Sequence, residues 1–153
     1  MTAEAASAPR ANGRAAIFGW CLYDWAMSAF NTLIGTFVFS AYFSKGIVGD
    51  PVRGTELWGN AIGIAGGAIV LLSPILGAVA DHGGRRRAWL AACVVAAVVP
   101  TALLWFMAPD PSWILPAMLL VVVATIAFEL SSVFYNALLI DVAPPGMLGR
   151  VSG

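Results

Sequence analysis

Charge is what this sequence has least of. Only 10% of its 153 residues are Asp, Glu, Lys or Arg, against about 25% in ordinary soluble domains. With 60% hydrophobic residues and a mean hydropathy of +0.86, such a chain is excluded as a water-soluble globule. Histidine is almost missing. His82 is the only one, and no nucleophile, phosphate-binding loop or metal cluster accompanies it, so neither enzyme chemistry nor a cofactor is expected. The two cysteines, Cys21 and Cys93, lie inside apolar runs. They show neither metal-ligand spacing nor a disulfide framework, and a buried free thiol behaves as a small hydrophobe. Alternation of polar with apolar residues is also missing, which argues against a barrel and leaves helices to satisfy the backbone in lipid. Net charge is zero. No nucleic-acid partner is expected, and what matters is where along the chain the charges fall.

What is present instead is a series of long apolar runs. At about 20 residues per membrane-spanning helix, the length holds about four spans with short connections and no soluble domain beside them. Residues 1–16, rich in Ala and Ser and carrying Arg10 and Arg14, read as a flexible cytoplasmic tail. Ile17 to Phe43 is the first span, interrupted by Asp24 and Asn31. It has no small-residue cleavage site nearby and is expected to stay attached. Ser44 to Leu57 holds Gly46, Gly49, Asp50-Pro51 and charges of mixed sign, the chemistry of a solvated turn. Trp58 to Ala80 is the second span. Ala88 to Met107 is the third, with Pro100 expected to kink it. Ala108 to Ser112 sets Asp110 between two prolines and cannot continue a helix, so it belongs at the other surface. Trp113 to Ile140 is the fourth, carrying Glu129.

The fold class is therefore all-α integral membrane, with residues 17–153 forming one transmembrane bundle and helices at about 17–43, 58–80, 88–107 and 113–140. Six of the eight basic residues (Arg10, Arg14, Arg85, Arg86, Arg87, Arg150) fall on the side of the tail, the 81–87 loop and the C-terminus, and Lys45 and Arg53 on the other. The positive-inside rule then predicts that both termini face the cytoplasm. Trp20, Trp58, Trp89 and Trp113 fall near span ends, where interfacial anchors belong.

Two carboxylates interrupt the spans. An Asp at the centre of a span costs about 2.5–3.5 kcal/mol on the insertion scale, so Asp24 and Glu129 need an interior or watery environment. Each has polar company on its own helix face. Asp24, Ser28 and Asn31 recur at i, i+4 and i+7, and Thr125, Glu129, Ser132 and Asn136 at i, i+4, i+7 and i+11. If the two stripes share a cavity, either acid is suited to carry a proton or to hold a cationic solute. The alternative is that Asp24, near the end of its span, faces headgroup water or caps a neighbouring helix.

Other features admit two readings as well. Gly59, Gly63 and Gly67 recur every fourth residue, with Gly66, Ser73 and Gly77 near the same side. This small-residue face suits ordinary tight packing, or a sliding contact in a moving protein. In GAVADHGGRRR (residues 77–87), Asp81 lies at the C-terminal end of its helix and Arg85 to Arg87 at the start of the next, each against the helix dipole. Topology accounts for the arginines. It does not account for Asp81, which implies a partner element elsewhere. Gly83-Gly84 supplies a tight connection between the two helices.

The pattern Gly77-x-x-x-Asp81-x-x-Gly84-Arg85-Arg86 resembles the loop signature between helices 2 and 3 of major facilitator superfamily transporters, departing at His82 where that signature has Arg or Lys. YDWAMSAF (Tyr23 to Phe30), FYNALLIDVAPP (Phe134 to Pro145) and RVSG (Arg150 to Gly153) resemble the vacuolar amino-acid effluxer-like branch and its bacterial relatives, which have Asn where this chain has Met27. The resemblance runs from about Trp20 to Gly153. It implies a twelve-helix fold of which this sequence carries the first four helices, an N-terminal fragment.

By this resemblance helices 1 and 4 line the central cavity, which puts Asp24, Ser28, Asn31, Glu129 and Asn136 on a substrate or proton pathway. Gly77, Asp81, Gly84, Arg85 and Arg86 would form a cytoplasmic gate in a rocking mechanism. The expected function is part of a secondary transporter in a bacterial inner membrane. It would move a small polar solute, amino acids among the candidates, with proton coupling a further possibility. The expected partners are the lipid bilayer, the solute, and either missing C-terminal helices or a second copy. Two rival readings stay open: a self-sufficient four-helix protein dimerising into a small multidrug-type pump, and a non-transporting membrane remnant.

Overall fold

The computed structural model of the chain describes residues 12–82 and 86–142, and all regular structure among them is helical. Four helical stretches, Cys21–Ile47, Pro51–Ala78, Arg86–Phe106 and Pro111–Asn136, are long and apolar enough to cross a membrane. The all-helical, four-span architecture expected from hydropathy is the one observed. Its boundaries differ from those read off the sequence.

The helix that carries the first span starts earlier than expected, and the span ends later. α1 (Asn12–Phe30) takes in residues 12–16, assigned above to the tail; residues 1–11 lie outside the described residues. Beyond Phe30 the helix continues as a π-helical segment (Asn31–Phe37), a short α2 (Val38–Tyr42) and a second π-helical segment (Phe43–Ile47). The wider turn of a π-helix moves carbonyls from i→i+4 to i→i+5 pairing. Side-chain hydroxyls also donate to them along this span. Thr36 Oγ1 donates to the Asn31 carbonyl at 3.1 Å, Ser40 to Thr36 at 2.6 Å and Ser44 to Ser40 at 3.0 Å. Such back-bonding bends helices in apolar surroundings, where no water competes for the carbonyls.

The solvated turn expected over Ser44 to Leu57 shrinks to Val48–Asp50. Phe43, Ser44 and Ile47 are buried in the second π segment. α3 (Pro51–His82) begins seven residues before Trp58. Asp50 caps it: its Oδ1 accepts from the backbone N–H of Val52 at 2.9 Å and of Arg53 at 3.3 Å, with Pro51 in the first helical position. Gly49, at φ 74°, makes the reversal that a side chain would strain. α3 continues through Pro74 to His82, and α4 (Arg86–Leu103) through Pro100 into a 3₁₀ turn at Leu104–Phe106. Asp110 then caps a second 3₁₀ turn, Pro111–Trp113, that leads into α5 (Ile114–Val142).

α5 is the centre of the bundle. It packs against α4 on one side and α3 on the other, and 33% of its span is buried against 11%, 11% and 17% for the others. Its apolar residues run all round the helix, as a helix enclosed by neighbours requires. α3 packs on α5 with Ala61 and Ala65 among its fully buried residues, and α5 has fully buried alanines of its own at Ala117 and Ala124. This corrects the expectation for the glycine face. Close approach within the chain uses these alanines, whereas a Cβ added at Gly59, Gly63, Gly66, Gly67 or Gly77 would meet nothing within 4 Å.

One hydrophobic core cluster sits at the Ile47 end of the bundle, and buried residues continue along α5 through Leu130 and Phe134. Phe39, Phe43 and Ile47 of the first span close on Leu104, Met107, Ala117 and Val121. The Tyr42 hydroxyl donates to the Met107 carbonyl at 2.8 Å, tying the first span to the chain that leaves α4.

Candidate functional site

At the other end of the first span, two aromatic pairs hold α1 against α5. Tyr23 stacks on Tyr135 with ring centroids 4.5 Å apart, and Phe30 on Phe128 at 4.7 Å. Tyr23 and Phe30 are seven residues apart on α1, as Phe128 and Tyr135 are on α5, so the two helices run antiparallel in one register over this length. In that register Asn31 stands opposite Ala127, about 3 Å along the axis from Glu129, near enough for both to reach one cavity.

The two residues line one cavity. It has a volume of about 390 Å³ and lies between the first span, α3 and α5, with Asn31, Thr125 and Glu129 as its polar groups. Phe30, Trp58, Phe128 and Ile62 form apolar walls, and Gly35 and Gly59 leave room. The Asn31 amide is positioned from its own segment: a Cβ at Gly35 would come within 3.1 Å of its Oδ1. Trp58 is held by Phe43 and Phe39, with centroids at 5.6 Å and 6.1 Å. A second cavity of about 440 Å³, between the first span, α4 and α5, is apolar. Met27, Leu33, Val94 and Val98 line it together with Tyr23 and Thr101, and among the described residues it has no charged side chain.

Of the five residues expected on a pathway, then, Asn31 and Glu129 come together, joined by Thr125 from the same α5 stripe. Asp24, Ser28 and Asn136 are exposed and do not line this cavity. Ser28 is occupied locally, its hydroxyl donating to the Asp24 carbonyl at 3.2 Å. Asp24 sits one residue from Tyr23, whose hydroxyl donates to the fully buried Ser131 at 2.6 Å.

Of the expected gate residues, Gly77 lies in α3 and Asp81 in its last turn, while Arg86 opens α4. The helix ends stand where the dipole argument placed them. Gly84 and Arg85 lie outside the described residues.

Trp58 was read above as an interfacial anchor; the early start of α3 instead draws it into the bundle as a cavity wall. The Asp50-Pro51 pair, an N-cap followed by proline at the first helical position, was the available signal for that start. Phe30 and Phe128 carried no signal beyond apolarity, and the π segments that carry Asn31 and Gly35 had none.

Comparison with known proteins agrees with this arrangement of spans. The family model described as Major Facilitator Superfamily matches residues 3–153. An MFS-type transporter of Bacillus subtilis (strain 168), YxiO, itself uncharacterized, is 35% identical over 136 residues. The alignment covers 87% of this chain and 31% of that relative, so the chain spans less than a third of its relative's length. No solved structure matches. With four apolar helices in the described residues and a family model spanning nearly the whole sequence, the chain belongs to the Major Facilitator Superfamily.

Proposed function

We propose that the chain is the N-terminal part of a secondary transporter that moves a small polar solute by alternating access, and that the solute path passes the cavity of Asn31, Thr125 and Glu129. One observation carries this reading. An amide and a carboxylate from two different spans, both costly in lipid, line the same cavity. Polar groups near the midplane, gathered from discontinuous or irregular helix, are how transporters build a site in an apolar medium. The π-helical backbone beginning at Asn31 is such a segment. Glu129 also suits a proton-coupled cycle, since an intramembrane acid can exchange a proton for a cation.

The basic residues support a cytoplasmic location for both termini in a bacterial inner membrane. Gly77, Asp81, Gly84, Arg85 and Arg86 would then work the cytoplasmic gate, and the resemblance to the amino-acid effluxer-like branch makes export the direction to test first. The open face of Gly63, Gly66 and Gly67 calls for a partner helix. Further helices of the same protein fit that need, given that the chain spans 31% of its relative. A second copy, as in a small dimeric pump, is the other candidate, and intermolecular crosslinking at Gly63→Cys separates the two.

The test is transport by the complete protein in proteoliposomes, using a panel of labelled amino acids and amines. Glu129→Gln and Asn31→Ala should each lower translocation at least tenfold, with thermal stability retained. Unchanged transport in Glu129→Gln would remove the cavity from the path. The 153-residue chain reconstituted alone should move nothing.

A further inference from the structure

We propose that the cavity of Asn31, Thr125 and Glu129 binds an organic cation, an ammonium group carried on a small apolar body. The proposal rests on this cavity being the solute site and names the chemistry it accepts. The charges lining it are one-sided. Among the described residues Glu129 is the single ionisable side chain on its wall, with no Lys, Arg or His beside it. An anion would meet an unmatched carboxylate. A zwitterion would satisfy Glu129 with its ammonium group but leave its own carboxylate without a basic partner in an apolar enclosure, where an unpaired charge is costly. A cation leaves neither charge unmatched.

The rest of the wall fits the rest of such a ligand. Three aromatic rings border the cavity, Phe30 and Phe128 stacked on each other and Trp58 apart from them, and an aromatic face attracts an ammonium through its quadrupole, indole most strongly. The Trp58 ring is braced by Phe39 and Phe43, so little side-chain freedom is lost when a ligand packs against it. Among the described residues the polar groups besides Glu129 are one amide, one hydroxyl and the Trp58 indole N–H, enough to orient an N–H or a ligand hydroxyl and too few to solvate a sugar. The volume of about 390 Å³ lies at the small end of ligand sites and suits a compact amine. Gly59 keeps the α3 wall open, and a side chain there would meet no protein atom within 4 Å of its Cβ. A residue larger than glycine at that position therefore starts into open space and takes up cavity volume.

The probes are choline and 3,3-dimethyl-1-butanol, which share a shape and differ in that the quaternary nitrogen is replaced by uncharged carbon. Binding is measured by calorimetry on the complete protein in nanodiscs. Choline should bind at least tenfold more tightly than the neutral analogue. Glu129→Gln should reduce that preference to below threefold, and Gly59→Leu should weaken both probes together. Equal affinity of the wild-type protein for the two probes overturns the proposal, as does a preference that survives Glu129→Gln. The measurement needs no translocation. Selective choline binding that depends on Glu129, in a protein that moves no solute, sustains the site and sinks the transport reading. Transport of neutral or zwitterionic solutes without choline binding does the reverse.

Discussion

The Tyr23 hydroxyl donates a 2.6 Å hydrogen bond to Ser131 Oγ, joining α1 to α5 across 108 residues of sequence. Ser131 is fully buried, and its own proton goes to the Phe128 carbonyl at 2.6 Å, so one serine hydroxyl both accepts across the interface and donates within its helix. Together with the Tyr23–Tyr135 and Phe30–Phe128 stacks, this bond fixes the rotation of α1 on α5. The rotation of α1 in turn determines where Asn31, the residue after Phe30, can point.

Removing only that bond should have a modest and measurable cost. Interhelical hydrogen bonds in membranes average about 0.6 kcal/mol, with a maximum near 1.7. Tyr23→Phe should lower unfolding free energy in bicelles by about that average. Ser131→Ala, which strands the tyrosine hydroxyl as well, should cost about 1 kcal/mol or somewhat more. A double-mutant cycle showing no coupling between the two positions would refute the lock.

Glycine substitutions on α3 should divide by position. A Cβ at Gly54 would lie 2.4 Å from the Ser44 Cα, and backbone cannot give way as a flexible side chain can. Gly54→Ala should therefore push the start of α3 off the second π segment, at about 1–3 kcal/mol. Gly63→Ala adds a methyl to open space and should be neutral in this chain, or slightly stabilising through helix propensity. If Gly63→Ala is harmless here and damaging in the complete protein, a partner helix covers that face. Equal tolerance of both substitutions in this chain would contradict the packing described for Gly54.

Asp110 makes a pH prediction. The Ser112 side chain and then its backbone N–H hold the Asp110 carboxyl below its ordinary value. With the folded value lower than the unfolded one, the cap's contribution is complete above about pH 4 and fades as pH falls through the folded value. Asp110→Ala should thus be less stable than the wild-type chain at pH 7, with the gap closing in acid, while Asp110→Asn keeps a neutral capping oxygen and falls between. A gap independent of pH would show that the carboxylate charge plays no part.

The number of spans was legible in the residues because hydrocarbon leaves no choice. A run of about 20 apolar residues with its backbone satisfied internally must be a helix that crosses. Glu129 and Asn31 stood out for the same reason, being polar where polarity is costly. The span ends were less legible. The mixed charges of Lys45, Arg53 and Glu56 pointed to a loop, yet a helix tolerates charges on an outward face while Phe43 and Ile47 bury the opposite one.

Periodicity placed Asp24, Ser28 and Asn31 on one face and Glu129 with Asn136 on another, and that much is local geometry. Which members meet is not local. It depends on the depth at which two helices cross and on the rotation of one against the other, and here aromatic stacks between residues more than 90 positions apart in sequence decide both. The sequence by itself therefore determined a four-span helical chain of the Major Facilitator type with polar residues in its first and fourth spans. Tertiary packing alone decided that Asn31 and Glu129 share a cavity, that Trp58 walls it, and that Asp24 and Asn136 stand outside. A helical period fixes direction around one axis, and only contact between helices relates one axis to another.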